Sequence, residues 1–109
     1  MFHTTSTLMK SNYADYQDNL ENLIKLLREF NEEHWANYFQ KSLELLYVGK
    51  PQKSIYHSLA AFGGMGSVTD SLTFTGANNQ EVKLGFKLTA SLFNECKLKR
   101  SFLKRIIEQ

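Results

Sequence analysis

Apolar residues recur along most of this chain at spacings of three and four, which is the period of an amphipathic helix. The first such stripe comprises Tyr16, Leu20, Leu23, Ile24, Leu27 and Phe30. Asn12 precedes the stripe as a predicted N-cap, with Asp15 at the capping-box position. Residues 1–11 are polar and carry no stripe. We therefore expect residues 1–11 to form a flexible arm and residues 12–109 to form a single helical domain.

A second stripe follows Asn31, which is predicted to cap a second helix. Its members are Trp35, Tyr38, Phe39, Ser42, Leu43 and Leu46. Gly49 then fits the C′ position of this helix, and Pro51 fits the first turn of a third helix. The third helix carries Ile55, Leu59 and Phe62. It is expected to stop at Gly63 and Gly64, at least one of which should have a positive φ.

The segment from Ser67 to Thr75 alternates apolar and hydroxyl residues, and we expect an extended connector whose apolar side chains fill the bundle. Asn78 and Glu81 again have capping-box spacing, and they predict a last helix from about Gln80 to Ile107. Its core stripe is Leu88, Leu92, Cys96, Leu103 and either Ile106 or Ile107. These patterns predict an all-α fold. The expected architecture is an antiparallel four-helix bundle with a glycine-rich corner before a long C-terminal helix.

Charge is unevenly distributed along the chain. Residues 11–48 contain seven acids and three bases, a net charge of −4, whereas residues 49–109 contain four acids and nine bases, a net charge of +5. Solvated helix faces would explain this distribution, and so would a surface polarised for a charged partner.

The residues that catalysis or metal binding would require are missing from the pattern. The glycine stretch lacks the lysine of a phosphate-binding loop and the spacing of a dinucleotide fingerprint or a nucleophile elbow. No histidine, cysteine and carboxylate set has metal-ligand spacing. We predict no catalytic residue, no metal and no cofactor. Cys96 is the single cysteine and is expected to be a core residue. With no apolar leader and no run of about 18 apolar residues, the sequence predicts a cytoplasmic protein without a membrane partner.

The stretch FGGMGSVTD, from Phe62 to Asp70, resembles a small uncharacterised bacterial helical domain family that carries a GGMGS-x-N-D-type motif near mid-chain. Thr69 stands where that motif usually has asparagine. The resemblance implies an antitoxin-like or immunity-like partner of a bacterial toxin.

The leading hypothesis is therefore a non-enzymatic immunity protein that occludes its cognate toxin. The predicted contact is the glycine corner, with two acids as a secondary rim: Gly63, Gly64, Met65, Gly66, Ser67 and Asp70, then Glu32 and Glu33. The alternative is a helical nucleic-acid-binding or regulatory protein. It rests on KLKRSFLKR, residues 97–105, which has five bases in nine residues. A solvated basic helix end also explains that run, and it is preferred because the overall charge of the chain is modest.

Overall fold

A computed structural model describes the backbone of residues 4–63 and 67–108 and the side chains of residues 13–63, 67, 68 and 71–100. The helices are α1 (Thr4–Glu29), α2 (Glu33–Tyr47), α3 (Pro51–Ala60), α4 (Val68–Ser71) and α5 (Asn79–Glu108). The part of the chain so described contains helices, turns and loops but no strand. The predicted all-α class is confirmed.

The four long helices close a ring, because α1 packs against α2 and α5, and α3 packs against the same two helices. Neighbours run antiparallel. Between α1 and α2, for example, Tyr47 bonds to Glu21, whereas at the other end Arg28 bonds to Asn37. The predicted antiparallel four-helix bundle is therefore correct. The long crossing between α3 and α5 lies at the same end as the α1–α2 turn.

The described interior is built from members of the predicted stripes together with three side chains of the crossing, Val68, Leu72 and Phe74, which are 0–7% exposed. Leu103 of the last stripe lies outside the described side chains. The prediction that these apolar residues fill the bundle is confirmed. The prediction of a wholly extended connector is wrong for its first part, since residues 68–71 form the short helix α4. One helical turn lets both Val68 and Leu72, four residues apart, point to the same side.

Two helices end in the same hydrogen-bonded turn, with a left-handed residue after the last helical turn. At the end of α2, Gly49 has φ +82°. The N–H of Lys50 bonds to the carbonyl of Leu45 at 2.9 Å, and that of Gly49 bonds to Leu46 at 3.1 Å. This is a Schellman motif. The predicted C′ role of Gly49 is confirmed.

Asn31 plays the same part at the end of α1, which corrects its predicted role as the cap of α2. Its φ is +61°, and the N–H of Glu32 bonds to the carbonyl of Leu27 at 2.8 Å. Asparagine tolerates this left-handed conformation better than most residues. The N-cap of α2 is Glu32 instead, without a side-chain bond to the helix start.

The observed start of α5 agrees with the sequence prediction, whereas the observed start of α1 does not. Before α5, Asn78 Oδ1 accepts the N–H of Glu81 at 2.8 Å, and the Glu81 carboxylate accepts the N–H of Asn78 at 2.9 Å. This capping box is confirmed. In contrast, α1 begins at Thr4 rather than after Asn12. Extending an existing helix costs far less than nucleating one, so the polar segment continues the ladder without a stripe of its own.

Candidate functional site

The end of the bundle that contains the predicted site is called the corner end here. It consists of the α1–α2 turn (residues 30–32), residues 61–63 after α3, and residues 67–78 before α5. Residues 64–66, which include Gly64, Met65 and Gly66 of the predicted site, lie outside the described residues. The fold brings Gly63 and Ser67, which flank these residues, to the same end as Glu32.

The glycine stretch is closed by a backbone bond between its two flanks. The N–H of Val68 bonds to the carbonyl of Ala61 at 2.8 Å, and both residues are buried. After α3, i to i+3 bonds from Ala61 to Ser58 and from Phe62 to Leu59 tighten the chain. Gly63 is exposed and lacks a positive φ, so the left-handed geometry expected at Gly63 or Gly64 does not occur at Gly63.

Glu32 holds the other side of the corner end through a set of contacts that we call the Glu32 clasp. Its carboxylate oxygen Oε2 accepts the backbone N–H groups of Thr73 and Phe74, each at 2.9 Å. The Thr73 hydroxyl adds a longer bond of 3.4 Å to the same oxygen. Two successive N–H groups that converge on one anion form a nest. The anion that fills this nest belongs to the protein itself.

The clasp fixes an unusual backbone conformation at Phe74, whose φ is +48°. The Phe74 ring is 1% exposed and lies edge-on to Phe30 and Phe86, with centroid distances of 6.4 and 5.5 Å. Gly85 of α5 lies beneath it. A Cβ at position 85 would fall 2.4 Å from Phe74 Cζ, so glycine at position 85 allows this ring to approach the helix.

The remaining predicted site residues divide between surface and interior. Glu33 is exposed and forms an ion pair with Arg28 at 3.2 Å, and Arg28 also donates to Asn37. Ser67 is 6% exposed, so it offers little area to a partner. Asp70 lies in α4, and its side chain is outside the described residues. The exposed residues described at this end therefore include Asn31, Gly63, Ser71, Thr73, Thr75, Gly76 and Asn78, and exposed Glu33 lies beside them.

A buried polar cluster joins the helices at the middle of the bundle. The Tyr16 hydroxyl of α1 bonds to Ser54 at 2.7 Å and to Ser58 at 2.9 Å, both on α3. Ser54 donates to the carbonyl of Ser42 at 2.6 Å, and Ser58 to the hydroxyl of Ser42 at 2.8 Å, both on α2. All four residues are 0% exposed. Such a cluster is inaccessible to a substrate, and its hydrogen bonds hold α1, α2 and α3 together.

Burial also changes the acidity of the groups around this cluster. It raises the pKa of the Tyr16 hydroxyl well above its usual value, against the opposing effect of the serine hydrogen bonds. It raises the pKa of the Cys96 thiol to about 12. A nucleophilic cysteine needs a lowered pKa and access to solvent, whereas Cys96 is 0% exposed. Its predicted place in the core is confirmed.

A second reciprocal contact joins α2 and α3 near the surface. The Tyr38 hydroxyl donates to the carbonyl of His57 at 2.6 Å, and His57 Nε2 contacts the carbonyl of Tyr38 at 3.1 Å. The two rings stack with centroids 4.1 Å apart. His57 is thus a polar-contact histidine. Tyr38 and Trp35 belong to the partly buried and buried aromatic packing of α2.

Among the described residues, no group of three His, Cys, Asp or Glu side chains could hold a metal ion. Within the same part of the chain, no helix combines the length and apolar character needed to cross a membrane. At the corner end, a partner would meet backbone groups, hydroxyl groups and a carboxylate, held in position by the hydrogen bonds described above.

Comparison with known protein families gives a match. A family described as a domain of unknown function (DUF6966) matches residues 28–83, which is slightly more than half of the chain. That segment runs from the end of α1 through α2, α3 and the corner to the start of α5, so it contains the whole Glu32 clasp. No curated protein and no solved structure matches the chain significantly. By the extent of the match, the chain belongs to this family of domains of unknown function.

Proposed function

We propose that this protein is the immunity protein of a bacterial toxin–immunity pair and that it neutralises its cognate toxin by covering it with the corner end. It acts without catalysis, in the cytoplasm. The observation that carries the proposal is the Glu32 clasp. Together with the Val68–Ala61 bond, it anchors an irregular loop surface on both sides. A loop anchored before binding loses less conformational entropy when a partner covers it.

Charge and composition support the same proposal. Exposed Glu33 lies beside the corner, and the N-terminal half of the chain is acidic while the C-terminal half is basic. Such polarity accelerates the encounter with a partner of opposite charge. The resemblance of FGGMGSVTD to the motif of a bacterial domain family also supports the proposed immunity function.

The test is co-production with the protein encoded by the neighbouring toxin gene. We expect growth to be restored and a complex to elute in gel filtration. Loss of protection together with the absence of a complex would refute the proposed function.

The position of the interface is tested separately, by calorimetry on folded variants. Met65→Glu and Glu33→Lys should each weaken toxin binding about tenfold or more, which corresponds to about 1.4 kcal/mol. Lys53→Glu, an exposed charge reversal at the opposite end of the bundle, should leave affinity unchanged. If all three variants bind like the wild type, the toxin contacts another surface.

A second candidate function rests on the basic end of α5, where Lys97 and Arg100 are exposed. Lys97 and Lys99 also lie over the rings of Phe93 and Tyr13, with Nζ 5.4 and 5.8 Å from the ring centroids. Two of the bases are therefore engaged with aromatic rings of the protein itself, and this weighs against nucleic-acid binding. Gel retardation at low salt that falls steeply with added salt would support this second function. No retardation at low salt would exclude it.

A further inference from the structure

One face of α5 carries a stripe that the bundle covers incompletely. We call it the α5 stripe: Leu84, Leu88, Ser91, Glu95 and Leu98. Successive members of the stripe are four and three residues apart in turn. This is the spacing of a helix face that packs against a second helix. The end members, Leu84 and Leu98, are 46% and 64% exposed. The middle three are half-buried.

The α5 stripe borders a groove between α1 and α5, and the two ends of this groove differ in chemistry. The end near Ser91 is a cavity of about 280 Å³ with three acids, Asp15, Asp18 and Glu95, in its lining. The end near Leu84 is a cavity of about 310 Å³, and its lining includes Leu26, Leu84 and Leu88. One base and one acid, Lys25 and Glu29, also line this second end.

The exposed leucines are arranged symmetrically along the helix. Leu84 stands seven residues before Ser91, and Leu98 stands seven residues after it. We propose that two copies of this chain associate through their α5 stripes as an antiparallel pair, with the two-fold axis at Ser91. Each Leu84 then packs against Leu98 of the other copy, and both exposed leucines are removed from water. Ser91 is small enough for the helices to approach closely where they cross.

Charge selects the antiparallel orientation over the parallel one. In a parallel pair, the acidic end of each groove would face the acidic end of the other, and like charges would repel. In the antiparallel pair, the end with the three acids lies level with the Leu84 end of the second copy, where Lys25 and Lys87 outnumber the one acid, Glu29. Both lysines are exposed. A self-complementary surface of this kind is what a two-fold dimer requires.

The first test is the mass in solution, measured by light scattering after gel filtration. We expect the wild type to have about twice the mass of one 12.6 kDa chain. Leu84→Asp and Leu98→Asp should each give a single chain with an unchanged helical circular-dichroism spectrum. Tyr56→Asp is the control, since Tyr56 is 57% exposed on α3 and lies off the stripe, and it should remain a dimer. A wild-type mass of one chain at millimolar concentration would overturn the proposal.

The second test fixes the orientation by disulfide cross-linking in a Cys96→Ala background, which by itself should not cross-link. Ser91→Cys should form a dimer on oxidation, because a residue on the two-fold axis meets its own copy. Leu98→Cys alone should not, because in the antiparallel pair it lies about 21 Å along the helix from its own copy, at 1.5 Å per residue. A mixture of Leu84→Cys and Leu98→Cys chains should cross-link. Efficient cross-linking of Leu98→Cys alone would instead indicate a parallel dimer. This association does not depend on the proposed toxin.

Discussion

At the scale of single residues, Glu32 has a role different from the one its sequence context indicates. Its sequence context predicts an acid on the rim of a partner surface, and it remains a proposed member of that surface. In the structure its carboxylate binds two backbone N–H groups of the crossing. No local pattern reveals this, because the partners lie more than forty positions away in the sequence. Only the folded topology brings them together.

We expect Glu32→Gln to destabilise the protein by about 1 kcal/mol, and Glu32→Ala by about 1–3 kcal/mol, because the hydrogen bonds to a charged acceptor are weakened in the first variant and lost in the second. The matched control, Glu33→Gln, removes only a surface ion pair and should change the free energy of unfolding by less than about 0.5 kcal/mol. Urea denaturation measures these differences. Hydrogen exchange at the Thr73 and Phe74 amides should accelerate in the Glu32 variants alone. Equal effects of the Glu32 and Glu33 substitutions would contradict a clasp.

At the scale of helices and turns, the sequence patterns predicted most of the fold. The three/four spacing located all four long helices, and glycine and asparagine located two of their ends. The exceptions have physical reasons. Asn31 is favourable both as an N-cap and as a left-handed C′ residue, so its type alone does not decide between the two. The buried cluster was not predicted, because the spacing of Ser42, Ser54 and Ser58 does not show that they face one another.

Gly85 provides a test in which two effects have opposite signs. Helix propensity alone predicts that Gly85→Ala stabilises α5 by up to about 1 kcal/mol. The contact with Phe74 predicts the reverse, because a new Cβ would overlap the ring and overpacking costs about 1–3 kcal/mol. We expect net destabilisation in thermal unfolding. A gain in stability would show that the ring moves aside without cost.

The double variant Gly85→Ala with Phe74→Leu isolates the contact. A smaller side chain at position 74 leaves room for the new methyl group, so the two substitutions should be less harmful together than the sum of their separate effects. Strict additivity would mean that the ring and the helix are not in contact.

At the scale of the whole molecule, two buried groups, the Cys96 thiol and the Tyr16 hydroxyl, make the free energy of unfolding depend on pH in the alkaline range. The pKa of Cys96 rises from 9.0 to about 12 on folding, and that of Tyr16 also rises, mainly through burial. The folded state therefore keeps protons that the unfolded chain releases above about pH 9. Stability is complete below the unfolded pKa values and falls as pH increases, by up to about 1.4 kcal/mol per pH unit for each group.

We expect the urea midpoint to decrease between about pH 9 and pH 10.5, a range that begins where the Cys96 thiol of the unfolded chain ionises. Cys96→Ala should be less stable at neutral pH, because a packed sulfur is lost, but its stability should decrease less steeply over this alkaline range. Tyr16→Phe should also reduce the pH dependence. The same slope in all three proteins would show that these groups do not control it.

The reciprocal contact between Tyr38 and His57 also determines where a proton sits. A backbone carbonyl can only accept a hydrogen bond. The 3.1 Å contact from His57 Nε2 to the carbonyl of Tyr38 therefore requires the Nε2–H tautomer of the neutral ring. Long-range ¹⁵N–¹H correlation NMR should show the proton on Nε2, and an Nδ1–H tautomer would contradict the contact. With the proton on Nε2, the other ring nitrogen, Nδ1, is the acceptor of the neutral imidazole, so the ring donates to α2 only through Nε2.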